Sequence, residues 1–382
     1  MLNDNYEKAL IVSKKITAQY DICDSCLGRS FAKNLSLSSP RRLGKKLRKE
    51  IRSIACKKCY ICRGLFDDMK YANNLVLESA SKYDFKTFLL GVTMRPSVVD
   101  RDDFIRSKFQ LIGAESIKSA FAHDLSKMLS CNTKTTSRIE SPDLFLTVNL
   151  RTGSTYARSK PVYVSGRYLK KERGLSQKLV KCLECNESGC KKCSGTKSIE
   201  AYISKYLCKI FLAERAKITW VGGEDKSSLI LGSGRPFFAK LVNPKKRKPR
   251  MLKHHILEDN LTLLCLKNIK SAPKMPIKFH SIIEVSIKTK ENILAQRLKL
   301  FDEIAGSTIA VYEKSRRNEK RVYSIRYKKT APKSLSVTIK VDGGLPIKKF
   351  VTGDTVFPNI SDLLETPCTC EYFDFHGVEV TA

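Results

Sequence analysis

Apolar and polar positions alternate at roughly helical spacing over residues 4–20, and a helix is expected there. The segment SSPRRLGKKLRKEI opens on Ser-Pro, a helix start signal, and predicts a strongly basic helix. FKTFLLGVTM has the apolar, β-branched character of a strand, whereas DFIRSKFQL through IKSAFAHDLSKML returns to helical periodicity. PDLFLTVNL and PVYVSGRYL then read as strands, so residues 80–170 form an α/β module in this pattern. IEAYISKYLCKIFL predicts an amphipathic helix, and beyond residue 200 regular turn signals and the alternation in SVTIKVDGG are compatible with further strands. No apolar run approaches the roughly 20 residues of a membrane helix.

Composition changes this picture in one respect. Across 382 residues, Lys and Arg total 71 against 38 Asp and Glu, for a net charge of +33. An excess of that size points to a polyanionic partner, because each phosphate contact releases counterions. Nucleic acid leads, a membrane is not expected, and the N-terminus lacks a signal-peptide pattern, so the expected compartment is the cytoplasm. Basic residues cluster twice. GRYLKKERGLSQ brings together Arg167, Lys170, Lys171 and Arg173 with Tyr168 available for stacking, and NPKKRKPR carries Lys245, Lys246 and Arg247.

The 14 cysteines are unlike a disulfide framework in a reducing compartment. Eight fall into four CxxC pairs, a spacing at which a tight turn aims both sulfurs at one tetrahedral ion. Cys23 and Cys26 form the first. The second has two registers among Cys56, Cys59 and Cys62; Cys59 with Cys62 is preferred, since GLF follows it as LGRSF follows the first pair. Cys182, Cys185, Cys190 and Cys193 are close enough to close a single site by themselves. Structural zinc at one or two sites is the expectation, while Cys131, Cys208 and Cys265 are expected to be small buried side chains.

WVGGEDKSSLILGSGRPFFAKLVNP, from Trp220 to Pro244, holds the candidate chemistry. Glu224 and Asp225 follow two glycines, and Arg235 stands between Gly234 and Pro236 in what reads as a loop between the apolar runs LILG and FFAKLV. A carboxylate presented to a polyanion needs a chemical reason. No GxGxxG follows a strand and no GxxxxGK[ST] occurs, so dinucleotide binding and P-loop chemistry are not indicated.

In this order the segments resemble the archaeal and eukaryotic family of tRNA pseudouridine(54/55) synthases. GGEDKSSLILGSGRPFFAKLVNP is similar to its GRED…LGxGRPF…NP motif, and GGLPIKKFVTGDTVFPNISDLL to its YIKE…GD…PNxxxLL motif. CDSCLGRSFA, CYICRGLF and CLECNESGCKKC resemble its cysteine pairs, and residues 85–177 its RNA-binding THUMP module. The resemblance implies an α+β chain: a zinc-binding region over 1–75, a THUMP-like module over 76–175, a four-cysteine linker over 176–200, and a catalytic domain over 201–382 with a mixed, mostly antiparallel sheet. It implies a monomer that binds tRNA through its T-arm and acceptor region and isomerises T-loop uridine 54, 55 or both without an organic cofactor. Asp225 falls at the family's catalytic aspartate and Lys348 at its motif lysine, which would keep the carboxylate ionised. Arg235 and the two basic clusters would contact RNA. The chain departs from the pattern in several places: the arginine of GRED is Gly223, the VDVR-like residues that follow are Lys226, Ser227, Ser228 and Leu229, and the tyrosine of YIKE is Pro346. The HRR segment is reduced to VYEKSRRNEKR with Arg316 and Arg317 as substitutes, and no tyrosine occurs over 285–300. A tRNA-binding or tRNA-folding protein of the same fold, catalytically impaired, is the alternative.

Overall fold

A computed structural model describes residues 2–35, 39–179, 197–258, 260–313 and 316–381. The chain divides into two compact units, Met1–Lys160 and Pro161–Ala382. The expected boundary near residue 175 differs from this division, because the strand PVYVSGRYL pairs within the second unit.

The first unit opens with helices α1 (Leu2–Gln19), α2 (Asp24–Arg29), α3 (Pro40–Glu50) and α4 (Met69–Ala80). Strand β1 (Thr87–Thr93) follows, then α5 (Pro96–Lys108) and α6 (Ile117–Thr133), and then β2 (Thr136–Ser137), β3 (Leu144–Asn149) and β4 (Ser154–Ser159). The sheet order is β2-β1-β3-β4; β1 runs parallel to both neighbours, and β3–β4 is an antiparallel hairpin. Phe88, Leu90, Leu144, Leu146 and Val148 turn one face inward, where they share a buried core with residues of α4 and α6. Two glycines let α2 and α3 approach closely. A Cβ on Gly28 would lie 1.7 Å from the Pro40 carbonyl oxygen, and one on Gly44 would lie 1.9 Å from that of Asp24.

The second unit runs β5 (Val162–Lys170), α7 (Ile199–Phe211), β6 (Arg215–Trp220), β7 (Ile230–Val242), β8 (His254–Glu258), β9 (Leu261–Ile269) and β10 (Phe279–Thr289). Short helices α8 (Ala295–Leu298) and α9 (Leu300–Ile304) lead to β11 (Thr308–Glu313), β12 (Arg316–Ala331) and β13 (Ser334–Asp342). The chain closes with α10 (Ile347–Thr352), β14 (Val356–Phe357), α11 (Ile360–Leu364) and β15 (Cys368–Val380). One large sheet results, in the order β14-β11-β12-β13-β10-β15-β7-β5-β9-β8, with β6 also paired to β7. Every pairing in it is antiparallel except β15 with β7, the mixed, mostly antiparallel sheet expected. Alternate residues of β13 (Leu335, Val337, Ile339, Val341) and every fourth residue of α7 (Ile199, Ile203, Leu207, Phe211) meet in one core, the outcome of period 2 on a strand and period 3.6 on a helix.

Strand β7 differs from expectation in a way that creates the site. LGSGRP is part of one continuous strand, yet its register slips: Tyr168 faces Arg235, whereas Lys170 faces Ile230. Residues 231–234 therefore bulge outward, and Gly232 and Gly234 take φ of +55° and +74°, left-handed values that glycine adopts without strain. On its other side β7 changes partner. Ile230 meets Phe375 of β15, and residues from Phe237 onward meet β6. The loop joining β6 to β7 emerges at this fork.

Of the remaining cysteines, Cys131 and Cys265 are exposed and Cys208 is half-buried, so none is the buried hydrophobe expected. The first lies at the solvent end of α6 and the second at a positive-φ kink of β9, of φ +51°. Among the described residues no helix is long and apolar enough to cross a membrane.

Candidate active site and metal centre

The two adjacent acids of the fork loop have opposite environments. The Glu224 side chain is fully buried. Its Oε1 lies 3.0 Å from Lys170 Nζ, and its Oε2 lies 3.5 Å from Arg235 Nε and accepts a 2.6 Å hydrogen bond from the Tyr168 hydroxyl. Lys170 and Arg235 have no exposed side-chain surface either. Two cations against one carboxylate leave an excess positive charge, which backbone carbonyls absorb. Arg235 Nη1 donates to Val221 O at 2.8 Å, and Lys170 Nζ donates to Leu175 O, Asp225 O and Lys226 O at 3.3, 3.4 and 3.5 Å. The Arg235 guanidinium also lies 4.2 Å from the Phe375 ring centre. Burial drives the Tyr168 hydroxyl well above its ordinary pKa, so it stays a donor. Glu224 thus gathers two cations, and those cations grip the loop backbone on both sides of Asp225.

Asp225 itself keeps 30 % of its side-chain surface exposed. Its Oδ2 accepts from Lys348 Nζ at 2.6 Å, and its Oδ1 accepts from Ser227 N and Ser227 Oγ at 2.9 and 2.7 Å. The Lys348 hydrogen bond, with smaller help from Ser227, lowers its pKa to about 2. A depressed carboxylate pKa means that this pair's contribution to stability is present above the ordinary value near 3.8 and lost as pH falls towards 2. Above that range the carboxylate is ionised and one edge of it faces solvent.

A second clamp holds the same loop. Arg173 forks onto Asp374 Oδ1 and Oδ2 at 2.7 Å each and donates to Ser227 O at 2.5 Å. Asp374 Oδ1 also accepts from Leu229 N at 2.8 Å, and Tyr372, two residues earlier on β15, lies under the Arg173 guanidinium at 4.8 Å. Ser228, fully buried, donates to Asp225 O at 2.8 Å. Ser227 lies inside the GGEDKSS segment, but sequence reasoning singled out neither Asp374 nor Tyr372; no motif marks them, and β15 arrives from about 150 residues away in the chain.

The expected RNA-facing residues divide accordingly. Tyr168, Lys170 and Arg235 are buried, so they have no surface to offer RNA and instead hold Glu224. β5 alternation turns Tyr168 and Lys170 inward, and their match to a basic patch was sequence proximity alone. Arg167 spends its donors on Ser233 O, Gly234 O and Val378 O, stapling the β7 bulge to β15. Arg173 is committed to the clamp, whereas Lys171 and Lys246 are exposed. Lys245 and Lys246 anchor their backbone on Leu212 O and Phe211 O, and the Arg247 carbonyl accepts from Asn268. Gly223 has no atom within 4 Å of the place its Cβ would take, so the position of the missing arginine is open space.

In the first unit, Cys23, Cys26, Cys59 and Cys62 bring four sulfurs within 4.8 Å of one another. Cys23 Sγ and Cys62 Sγ are 3.6 Å apart, close to the edge of about 3.8 Å that four zinc–sulfur bonds of about 2.3 Å would define. Cys56 lies outside the cluster, in keeping with the preferred register. Mutual hydrogen bonds in the cluster draw the Cys59 and Cys62 thiols below their ordinary pKa and push those of Cys23 and Cys26 above it, as four crowded thiols share their protons unequally. The frame is built for rigidity. Tyr60 N donates to Asp21 O at 2.6 Å, and Arg48 of α3 binds Asp24 at 2.7 Å and the carbonyls of Ile22 and Ile54. Buried Arg29, beside Cys26, pairs with Asp102 of α5. The residues fit a closed, structural zinc site with no open position for chemistry. Cys182, Cys185, Cys190 and Cys193 lie outside the described residues.

Metal analysis of the freshly isolated chain is expected to give at least one zinc, and Cys59→Ser to give one fewer with a lower melting temperature of the first unit. A wild-type chain without metal would remove the site.

Known proteins match this chain over nearly its whole length. The profile described as "Pus10, C-terminal" matches residues 163–379, and "Pus10 THUMP domain, archaeal" matches residues 71–149. A tRNA pseudouridine synthase Pus10 from Nitrosopumilus maritimus is 45% identical over 98% of this chain and 99% of its own length. Another from Cenarchaeum symbiosum is 39% identical, covering 94% and 90%. A chain of the archaeal box H/ACA sRNP Nop10-Cbf5 complex overlaps 55% of this chain and 56% of its own at 11% identity, with a TM-score of 0.28, too loosely to add an argument. A profile spanning more than half the chain, together with full-length relatives at these identities, places it: the protein belongs to the Pus10 family of tRNA pseudouridine synthases.

Proposed function

We propose that this chain isomerises T-loop uridine 54, uridine 55 or both in tRNA, with Asp225 as the catalytic carboxylate and Lys348 as the cation that keeps it ionised. One observation carries the reading: Asp225 is the exposed acid of a pair whose other member, Glu224, is buried to fix the loop. The carboxylate attacks, or electrostatically stabilises, C1′ as the C1′–N1 bond breaks and its electron pair leaves with the base. The base rotates while bound and C5 forms the new bond to C1′, any C1′–O bond to Asp225 breaking with its electron pair returned to the carboxylate; the C5 proton is then lost while N1 gains one. Atoms and charge balance, and no organic cofactor enters.

Asp225 is reached only by a base taken out of its stack, so the basic surface must hold the T-arm while the uridine is extruded. Lys171, Lys245, Lys246 and Arg247 remain the residues proposed to grip the RNA backbone, with zinc acting only to hold the first unit's shape. Mapping pseudouridine at single-nucleotide resolution in a T-arm-containing tRNA transcript tests the reading. Pseudouridine at 54 or 55 is the expected result. Unmodified transcript at saturating protein would leave the tRNA-binding alternative in its place.

A further inference from the structure

The first unit carries an open sheet face with the makings of a base-stacking platform. Helices cover one side of β2-β1-β3-β4, and the other side faces solvent. On that outward side Leu89, Phe145 and Arg158 form one cross-strand row, and Gly91, Thr147 and Tyr156 form the next. Phe145 is 42% exposed and Tyr156 65% exposed. Large apolar rings on the wet side of a sheet do nothing for the core, whose contacts belong to the alternate residues of the same strands.

Their placement matches stacked nucleotides. Phe145 and Tyr156 are diagonal neighbours on adjacent antiparallel strands, a separation of about 7–8 Å between backbone positions. Gly91 leaves the floor beside Thr147 without a side chain, so the surface there is flat. Charge favours a polyanion. Arg158 is exposed next to Phe145, and Arg138, exposed one residue beyond the Phe88–Ser137 pair, stands level with Leu89 at the far edge. The outward positions of β1, β3 and β4 carry no Asp or Glu. Asp143, at the edge, is occupied by the backbone N–H groups of Lys86 and Thr87 at 3.0 and 3.2 Å.

We infer that this face binds unpaired nucleotides of the RNA substrate, with bases stacked on Phe145 and Tyr156 and phosphates held by Arg158 and Arg138. Sheet-borne aromatics flanked by arginines are a general means of reading single-stranded RNA. The inference takes RNA as the partner from the family assignment and is independent of the role given to Asp225.

The test uses the full chain carrying Phe145→Ala and Tyr156→Ala, with an unmodified tRNA transcript and a short single-stranded oligoribonucleotide as probes. Affinity for both is expected to fall about tenfold per ring. The paired exchange Phe145→Tyr with Tyr156→Phe is expected to keep it, and the pseudouridine yield at saturating tRNA is expected to stay at the wild-type level. Arg158→Ala should lower the salt dependence of binding by about one ion, which the ring variant leaves unchanged. Wild-type affinity for both RNAs in the double-alanine variant overturns the proposal and leaves the face to a different partner, such as a protein. Should that variant melt early, cross-linking of 5-iodouridine-substituted RNA to wild-type Tyr156 decides: a cross-link supports the platform, and its absence removes it.

Discussion

Asp225→Asn is expected to abolish pseudouridine formation while tRNA affinity changes by less than about threefold. Asparagine keeps the volume and the hydrogen bond from Ser227 N, but it has no negative charge to attack or stabilise C1′. Affinity survives because a carboxylate repels phosphate, and the attraction comes from basic residues spread over the surface. The loop stays in place, since its anchors are Lys170, Arg173 and Ser228 acting on backbone carbonyls, not on the Asp225 side chain. Single-turnover assays beside binding measurements separate the two effects. A variant that retains even a tenth of wild-type turnover would remove Asp225 from the chemistry.

Glu224→Gln should give the larger loss of stability, although the residue touches no substrate. Among the described residues it removes the only carboxylate paired with Lys170, Arg235 and Tyr168, leaving two buried cations facing a neutral amide. Breaking a buried ion pair from one side costs about 3–5 kcal/mol, a fall of roughly 10 °C in the melting temperature of a unit this size. Turnover should fall as well, because Val221 O, Asp225 O and Lys226 O lose firmly held donors. The exposed Asp225–Lys348 pair supplies the contrast: Lys348→Met is expected to cost no more than about 1 kcal/mol of stability. Equal melting temperatures for Glu224→Gln and wild type would show that the buried cluster does not hold the loop.

These two acids also mark how far the sequence could be read. The motif around GGED gave Asp225 its place, and the LPIKKF segment gave Lys348, which meets Asp225 across 123 positions of chain at 2.6 Å. The CxxC spacing placed two cysteine pairs, and the choice of Cys59 with Cys62 agrees with the clustered sulfurs. Helices and strands followed from apolar periodicity because each buries one face, and burial of one face is a local property of the sequence.

Burial of a charge is not. Lys170, Arg235 and Tyr168 look like surface RNA contacts in a chain with a net charge of +33, and only the alternation of β5 against β7 turns them inward onto Glu224. Asp374 and Arg173 clamp the loop that carries Asp225, and no motif marks Asp374, because the pairing of β15 beside β7 is set by the whole sheet. The sequence by itself determined the family, the helical and extended segments, the first cluster of candidate metal-ligating cysteines and the acid proposed to react. The tertiary structure alone decided which of two adjacent acids is buried and which is offered to solvent. The reason is physical: a carboxylate enters a core only where opposite charges from distant strands converge on it.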